Sequence, residues 1–272
     1  MADSPACCVL IPCLNEELAI GAVVQSVLAQ GLPVVVIDDG SDDATVDIVS
    51  RMPVTLIRHP ARRGKGEALR SGFRHALAAG YRGALSMDGD GQHSAADLPR
   101  LLAVATAWPH HIVIGARLIN RDEQPVFRRR ANDFGDWGIS WACGQRLTDT
   151  QSGQRYYPRE VLELVDIEAE GFVFESEILI EANWQRGVRV VAVPIESRYE
   201  KTHHAGPRRF RVSHFRPLKD FLGITTRVVW KIVRRGCMWD SRRRARADSP
   251  LIVDPTAEQI RPFTVAGCSD AG

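Results

Sequence analysis

The feature that most constrains this chain is a regular alternation of short apolar runs with amphipathic segments over its first half. Residues 6–12, 33–37, 54–57, 84–87 and 111–115 read as strands. The run Pro33-Val34-Val35-Val36-Ile37 is apolar at every position, the mark of a strand buried on both faces. Between these runs, apolar residues recur at helical spacing. Residues 15–30 predict a helix with Leu18, Val23, Val24, Val27 and Leu28 inward. A second helix starts at Ser41 or Asp42 as its cap and ends near Met52. Residues 64–79 carry Leu69, Phe73, Ala76 and Leu77 on one face, and Ser94 caps a helix over 94–107. Such alternation predicts an α/β fold, a mostly parallel sheet with helices on both faces. After Arg117 the pattern breaks into a helix over 127–143, a loop and short strand over 150–157, a helix over 174–186 and a strand over 188–194.

Three polar loops fall at the carboxyl ends of successive strands. They are Pro12-Cys13-Leu14-Asn15-Glu16-Glu17, Asp38-Asp39-Gly40-Ser41 and Asp88-Gly89-Asp90-Gly91-Gln92-His93. That edge of an open parallel sheet is where ligands bind. One Asp-Gly pair is ordinary turn chemistry, but three carboxylate loops at one edge exceed what turns require. Asp88 and Asp90 flank a glycine, so both can face one hard divalent cation such as Mg²⁺ or Mn²⁺. Arg62-Arg63-Gly64-Lys65-Gly66-Glu67 opens a helix, a place suited to an anion. No Walker A loop, no Gly-x-Gly-x-x-Gly after the first strand and no Gly-x-Ser-x-Gly elbow is present. These absences argue against a P-loop nucleotidase, a dinucleotide oxidoreductase and a serine hydrolase.

The ordered series of motifs resembles the family-2 glycosyltransferases of the GT-A fold. It is most similar to their dolichol- or polyprenyl-phosphate sugar synthase branch. The resemblance rests on residues 9–17, on Val36-Ile37-Asp38-Asp39-Gly40-Ser41, on Arg63-Gly64-Lys65-Gly66-Glu67-Ala68 and on Met87-Asp88-Gly89-Asp90-Gly91-Gln92-His93. Asp149-Thr150-Gln151-Ser152-Gly153-Gln154-Arg155 matches a later element, with Gln154 where an aromatic is usual. Phe174-Glu175-Ser176-Glu177 and Val193-Pro194-Ile195-Glu196-Ser197-Arg198 fit further motifs, so the likeness spans roughly residues 7–215.

The resemblance implies a role for each matching residue. Pro12, Asn15 and Glu16 would line a nucleoside pocket, with Asp39 bonded to the base and Lys65 near the nucleotide. Asp88 would sit by the ribose and metal, Asp90 would hold the metal on the diphosphate, and Gln92 would face the donor sugar. Arg117 and one of Arg128, Arg129 and Arg130 would meet an acceptor phosphate. Arg198 would close over the diphosphate, and Arg155 belongs to the catalytic set. The implied reaction is an inverting, Mg²⁺- or Mn²⁺-dependent transfer from a nucleotide sugar. A lipid-phosphate acceptor is already an anion and needs arginines to place it. A hydroxyl acceptor needs a carboxylate base, and Asp149 is the candidate. A non-catalytic nucleotide-sugar binder is the remaining alternative, against which Asp88, Asp90 and Arg155 weigh.

Charge divides the chain unequally. Residues 208–246 hold 13 Lys or Arg against two acids, although the whole chain has 35 bases and 33 acids. Within this stretch Leu218, Phe221, Leu222, Thr225, Val228, Val229 and Ile232 recur at helical spacing among basic residues. That is the pattern of an interfacial helix on an anionic membrane. An ordinary terminal helix packed on the body gives the same spacing. The aliphatic stripe fits a membrane better than base stacking, so nucleic acid is not an expected partner. The six cysteines form no CxxC pair, which points to a reducing, cytoplasmic setting. No signal peptide or spanning helix is evident, so any membrane contact is expected to be peripheral, on the inner face. The division expected is a catalytic domain over 1–207, a basic amphipathic segment over 208–247 and a loose tail over 248–272.

Overall fold

The computed structural model describes residues 7–124, 126–167, 173–196, 226, 229–230, 233–234 and 238–255. Seven strands form one sheet: β1 (Cys7–Cys13), β2 (Val34–Asp38), β3 (Thr55–Arg58), β4 (Gly83–Ser86), β5 (His111–Ala116), β6 (Arg155–Pro158) and β7 (Arg189–Pro194). Their order is β3-β2-β1-β4-β6-β5-β7. All neighbours are parallel except β6, which runs antiparallel to both β4 and β5. The helices are α1 (Ile20–Leu28), α2 (Thr45–Val49), α3 (Lys65–Ala78), α4 (Leu98–Ala107), α5 (Val126–Cys143), α6 (Arg159–Leu162), α7 (Val173–Arg186) and α8 (Met238–Ala247).

The sheet is buried on both faces, as its apolar strands require. One face packs Leu10, Ile37, Ala84 and Ile114 against Leu69 and Phe73 of α3 and Phe174 and Ile178 of α7. The other packs Val9, Ile11, Val36 and Leu85 against Val23 and Val27 of α1 and Leu98 and Leu101 of α4. The expected α/β architecture is therefore present.

Several boundaries differ for local reasons. The first helix begins at Ile20 rather than at 15, because Asn15 is left-handed at φ 56°. The N–H groups of Glu16 and Glu17 bond to the side chains of Thr45 and Asp43 instead of entering a helix. Leu18 thus precedes the helix and is exposed, not inward. Neither Ser41 nor Asp42 caps α2, which starts at Thr45 without a side-chain cap. Ser41 instead accepts from the Asn15 N–H at 2.9 Å, and the Asn15 side chain accepts from the Asp42 N–H at 3.0 Å. The capping groups are spent joining the β1 and β2 loops.

The expected loose tail from 248 onward is corrected for its first residues. Ile252 and Val253 are buried, and the backbone around them exchanges hydrogen bonds with Ala192 of β7. This strip covers the β7 edge, where unpaired N–H and C=O groups would otherwise remain. Residues 256–272 lie outside the described residues, as does most of the interfacial helix expected over 215–233. Residues 226, 229–230 and 233–234 are helical. Within 208–247, α8 packs on α5, with Ser241 Cα 3.6 Å from where a Cβ on Gly144 would stand. Among the described residues no helix is long and apolar enough to cross a membrane.

Candidate active site

The three carboxylate loops converge at the carboxyl edge of the sheet because β1, β2 and β4 are adjacent and parallel. Gly40 lets the second loop close: at φ 84° it suits no other residue well, and a Cβ there would stand 2.8 Å from the backbone of Ala61 and Arg62. Asp39 is buried, and its carboxylate accepts from the N–H of Arg63 at 2.9 Å and of Gly64 at 2.7 Å. His59 Nδ1 lies 2.8 Å from the same carboxylate, and its Nε2 lies 2.9 Å from Ser71 Oγ. Asp39 therefore builds the turn that starts α3. Pro12 is buried in β1, while Asn15 and Glu16 lie just beyond it.

Lys65, the first residue of α3, reaches into the Asp88 loop. Its ammonium is 2.7 Å from Asp88 and 2.9 Å from Glu175 of α7. Burial pulls the lysine pKa down, but the two carboxylates outweigh it and hold the pKa above the ordinary value. Burial likewise raises the Asp88 pKa, yet Lys65 and His93 bring it below the usual range. At Asp90 the same cations fall short of offsetting the opposing effects. Burial and the Asp88 charge push its carboxyl up, against the Gln92 N–H it accepts at 2.9 Å. An acidic pair in which one carboxyl is held above its ordinary pKa by burial and by its neighbour's charge fits a hard divalent cation. The carboxylates this loop offers are Asp88 and Asp90, with Gln92 two residues on. Among the described residues no three His, Cys, Asp or Glu side chains form a closed metal cage. An open set of this kind leaves positions for phosphate oxygens.

Gly153 explains how Asp88 is seated. A Cβ at that position would overlap the Asp88 carboxylate. Ser86 Oγ donates to the Gly153 carbonyl at 2.8 Å and fixes the approach. Gly153→Ala is expected to cost about 1–3 kcal/mol of stability by overpacking and to displace Asp88. Thermal melting together with Mn²⁺ titration checks this; unchanged affinity for Mn²⁺ would contradict it.

Beside these loops lies a shallow cleft lined by Arg117, Arg121, Gln124, Arg129, Asn132, Asp136 and Asp149, among others. Arg117 follows β5 and grips Asp149 in a fork, Nε at 2.9 Å and Nη2 at 2.6 Å. The Arg117 N–H also donates to Asp149 at 2.7 Å. Arg121 pairs with Asp133, and Arg129 with Asp122 at 3.2 Å. Arg117 and Arg129 thus line the same cleft. Arg130 is exposed, and the Arg128 side chain and Arg198 lie outside the described residues.

Two expectations change here. Burial alone would raise the Asp149 pKa, but the Arg117 ion pair and its hydrogen bonds hold it below the ordinary value. A carboxylate so engaged is a poor proton acceptor, so the general-base role does not suit it. Arg155 is 0 % exposed and donates to the backbone carbonyls of Thr150, Ser152 and Glu175 at 2.6–2.7 Å. It is a buried brace for the site's loops, its guanidinium engaged by backbone carbonyls, which places it behind the site rather than in the catalytic set expected from sequence.

The sequence reading missed the roles of His59, Asp136 and Glu175. Glu175 was visible only as part of a motif, and its partner Lys65 is far away in sequence. Nothing local marks Asp136, whose partners are 13 and 14 residues on.

Residues 8–164 match the model of glycosyl transferase family 2. The chain belongs to that family. Its relatives include an undecaprenyl-phosphate mannosyltransferase of Micrococcus luteus, 32% identical over 202 residues, covering 68% of this chain and 81% of that one. A polyprenol monophosphomannose synthase of Mycolicibacterium smegmatis is 29% identical over 208 residues, covering 69% and 75%. Among solved structures, the glucosyl-3-phosphoglycerate synthase of Mycobacterium tuberculosis with Mn²⁺, UDP and phosphoglyceric acid superposes with a TM-score of 0.59. That match is 20% identical and covers 85% of this chain and 78% of that one, a likeness of fold. This family-2 glycosyltransferase therefore has the GT-A fold that its motifs implied.

Proposed function

We propose that the enzyme transfers a hexose, with inversion, from a nucleoside-diphosphate sugar to a polyprenyl-phosphate-like lipid, using Mg²⁺ or Mn²⁺. The observation that carries this reading is the arginine-lined cleft beside the Asp88–Asp90 loop. The names of the polyprenyl-phosphate relatives support it. Pro12, Asn15 and Glu16 line the nucleoside pocket, and Asp39 shapes its wall through the Arg63–Gly64 turn. Asp88 and Asp90 would hold the cation, which when bound would neutralise charge developing on the leaving diphosphate, and Gln92 faces the donor sugar. Lys65 keeps Asp88 ionised and in place, and Arg198 closes over the diphosphate. Arg117 and Arg129 place the acceptor phosphate in line with the anomeric carbon. A phosphate monoester is an anion at neutral pH, so the engagement of Asp149 by Arg117 does not impede the attack.

A transfer assay tests the reading: a panel of nucleotide sugars, Mn²⁺ and a short-chain isoprenyl monophosphate. The expected product is a glycosyl phosphodiester. Transfer only to hydroxyl acceptors would overturn it.

The acceptor's lipid implies attachment to a membrane, which we assign to the cytoplasmic surface and residues 208–246. Val229, Trp230, Val233 and Trp239 are exposed, and Arg234 stacks 4.9 Å from the Trp230 ring centroid. Such Trp–Arg surfaces suit an anionic interface. Each cation near the surface contributes about 1 kcal/mol at physiological salt. Sedimentation with anionic vesicles is expected at low salt and release at about 1 M, where the Debye length is roughly 3 Å. Unchanged pelleting of Arg234→Glu with Arg235→Glu would refute the assignment.

A further inference from the structure

The cleft contains a buried carboxylate that the proposed reaction does not use. Asp136 of α5 is 9 % exposed and points at the 149–150 turn. Its Oδ2 accepts the Asp149 N–H at 2.7 Å. Its Oδ1 accepts both the Thr150 N–H at 2.8 Å and the Thr150 hydroxyl at 2.6 Å. One helical turn on, Ser140 Oγ accepts the Leu147 N–H at 3.0 Å. Two side chains of one helix thus collect three backbone N–H groups of a single loop.

The clamp matters because of what it holds. Asp149 is non-glycine yet left-handed, at φ 48°. Such a conformation is costly and persists only where surroundings enforce it. It is also the residue whose carboxylate receives the Arg117 fork. We infer that Asp136 is a positioning residue: by fixing Asp149 in this conformation it sets the direction in which Arg117 is presented to the cleft. The order of contact is Asp136 to the Asp149 backbone, Asp149 carboxylate to Arg117, and Arg117 to the cleft. A second clamp at Ser140 keeps the loop seated but touches neither Asp149 nor Arg117, so direction depends on Asp136. Asparagine cannot replace it, since one side of the amide is a donor and would face a backbone N–H. The consequence for the acceptor rests on the reading above that the cleft takes a phosphate; the positioning does not.

Two measurements on the full chain separate these. In ¹H–¹⁵N spectra, the Arg117 Nε–H is expected to be protected from exchange in the wild type. In Asp136→Asn it should exchange at least about tenfold faster, the loss of a charge-assisted hydrogen bond. The Trp184 indole N–H, which donates to Ala142 of α5 at 2.9 Å, reports that the helix is still packed. An Arg117 signal unchanged in a folded Asp136→Asn would overturn the proposal. Should that variant not fold, Asp136→Glu keeps the charge but lengthens the side chain by one methylene, so the bond to the Asp149 N–H cannot keep its place. Arg117 exchange unaffected in a folded Asp136→Glu would then overturn it equally. In the second measurement, Asp136→Asn is expected to raise KM for a short-chain isoprenyl monophosphate about 10- to 100-fold. KM for the nucleotide sugar should stay within about twofold, and a merely structural defect would raise both together. Absence of transfer to the phosphate by the wild type would refute the proposed function and leave the exchange measurement to decide the role of Asp136.

Discussion

Asp90→Asn is expected to lower kcat/KM by roughly 10³-fold, about 4 kcal/mol of transition-state stabilisation. The same substitution should leave the fold as stable as before, or more so. The reason is the sign of the perturbation. Burial and Asp88 raise the Asp90 pKa in the folded protein. Its ionised form is therefore disfavoured by folding, and the metal-free protein loses stability as pH rises through the normal carboxylate range. A neutral amide removes that penalty while removing the charge that a divalent ion needs. Mn²⁺ binding followed by electron paramagnetic resonance should weaken in parallel with activity, and thermal melting should not fall. Full activity of the wild type in excess EDTA would sink the metal assignment. A large drop in melting temperature for Asp90→Asn would instead make this carboxylate structural.

What could be read from sequence and what could not divides along the range of the interactions. The strands β1, β2, β4 and β5 are short apolar runs with a loop signal at each end, so composition alone locates them within a residue or two. Parallel pairing then brings their carboxyl ends together, which is why Asp39, Asp88 and Asp90 could be assigned to one edge. β6 is different. Its four residues, Arg155 to Pro158, begin with an arginine and enter the sheet between β4 and β5 in the opposite direction. That insertion carries the Gly153 turn against Asp88 and buries Arg155. A charged residue in a loop motif reads as a ligand contact from sequence, because burial of a guanidinium depends on carbonyls supplied from elsewhere. Helix starts failed for a related reason. Asn15, Ser41 and Thr45 are all good capping residues, but they bond across two loops rather than within their own segments. Leu251–Val253 carries no periodic signal, since its place is fixed by the open edge of β7 and not by its own pattern.

The second large effect is expected at Arg155, and it should appear in stability before chemistry. The guanidinium is fully buried, and it satisfies carbonyls from two separate parts of the chain, Thr150 and Ser152 on one side and Glu175 on the other. Burial opposes its charge, yet Tyr157 and Glu175 more than offset that and keep the arginine protonated. Arg155→Leu takes the donor from the buried Thr150 and Ser152 carbonyls, each such loss costing about 1–3 kcal/mol, while the Glu175 carbonyl keeps its helical partner. The total, about 2–6 kcal/mol, is a large part of a domain's whole stability. Urea denaturation should show the midpoint falling steeply. Arg155→Lys keeps the charge but not the planar fork, so it cannot serve three carbonyls in different directions. An intermediate midpoint is expected for it. Activity should follow stability in both variants, because Arg155 acts on the site only through the loop beside Asp88 and through Glu175, which holds Lys65 at 2.9 Å. A lysine variant with the wild-type midpoint and no transfer would reverse this assignment and return Arg155 to the reacting groups.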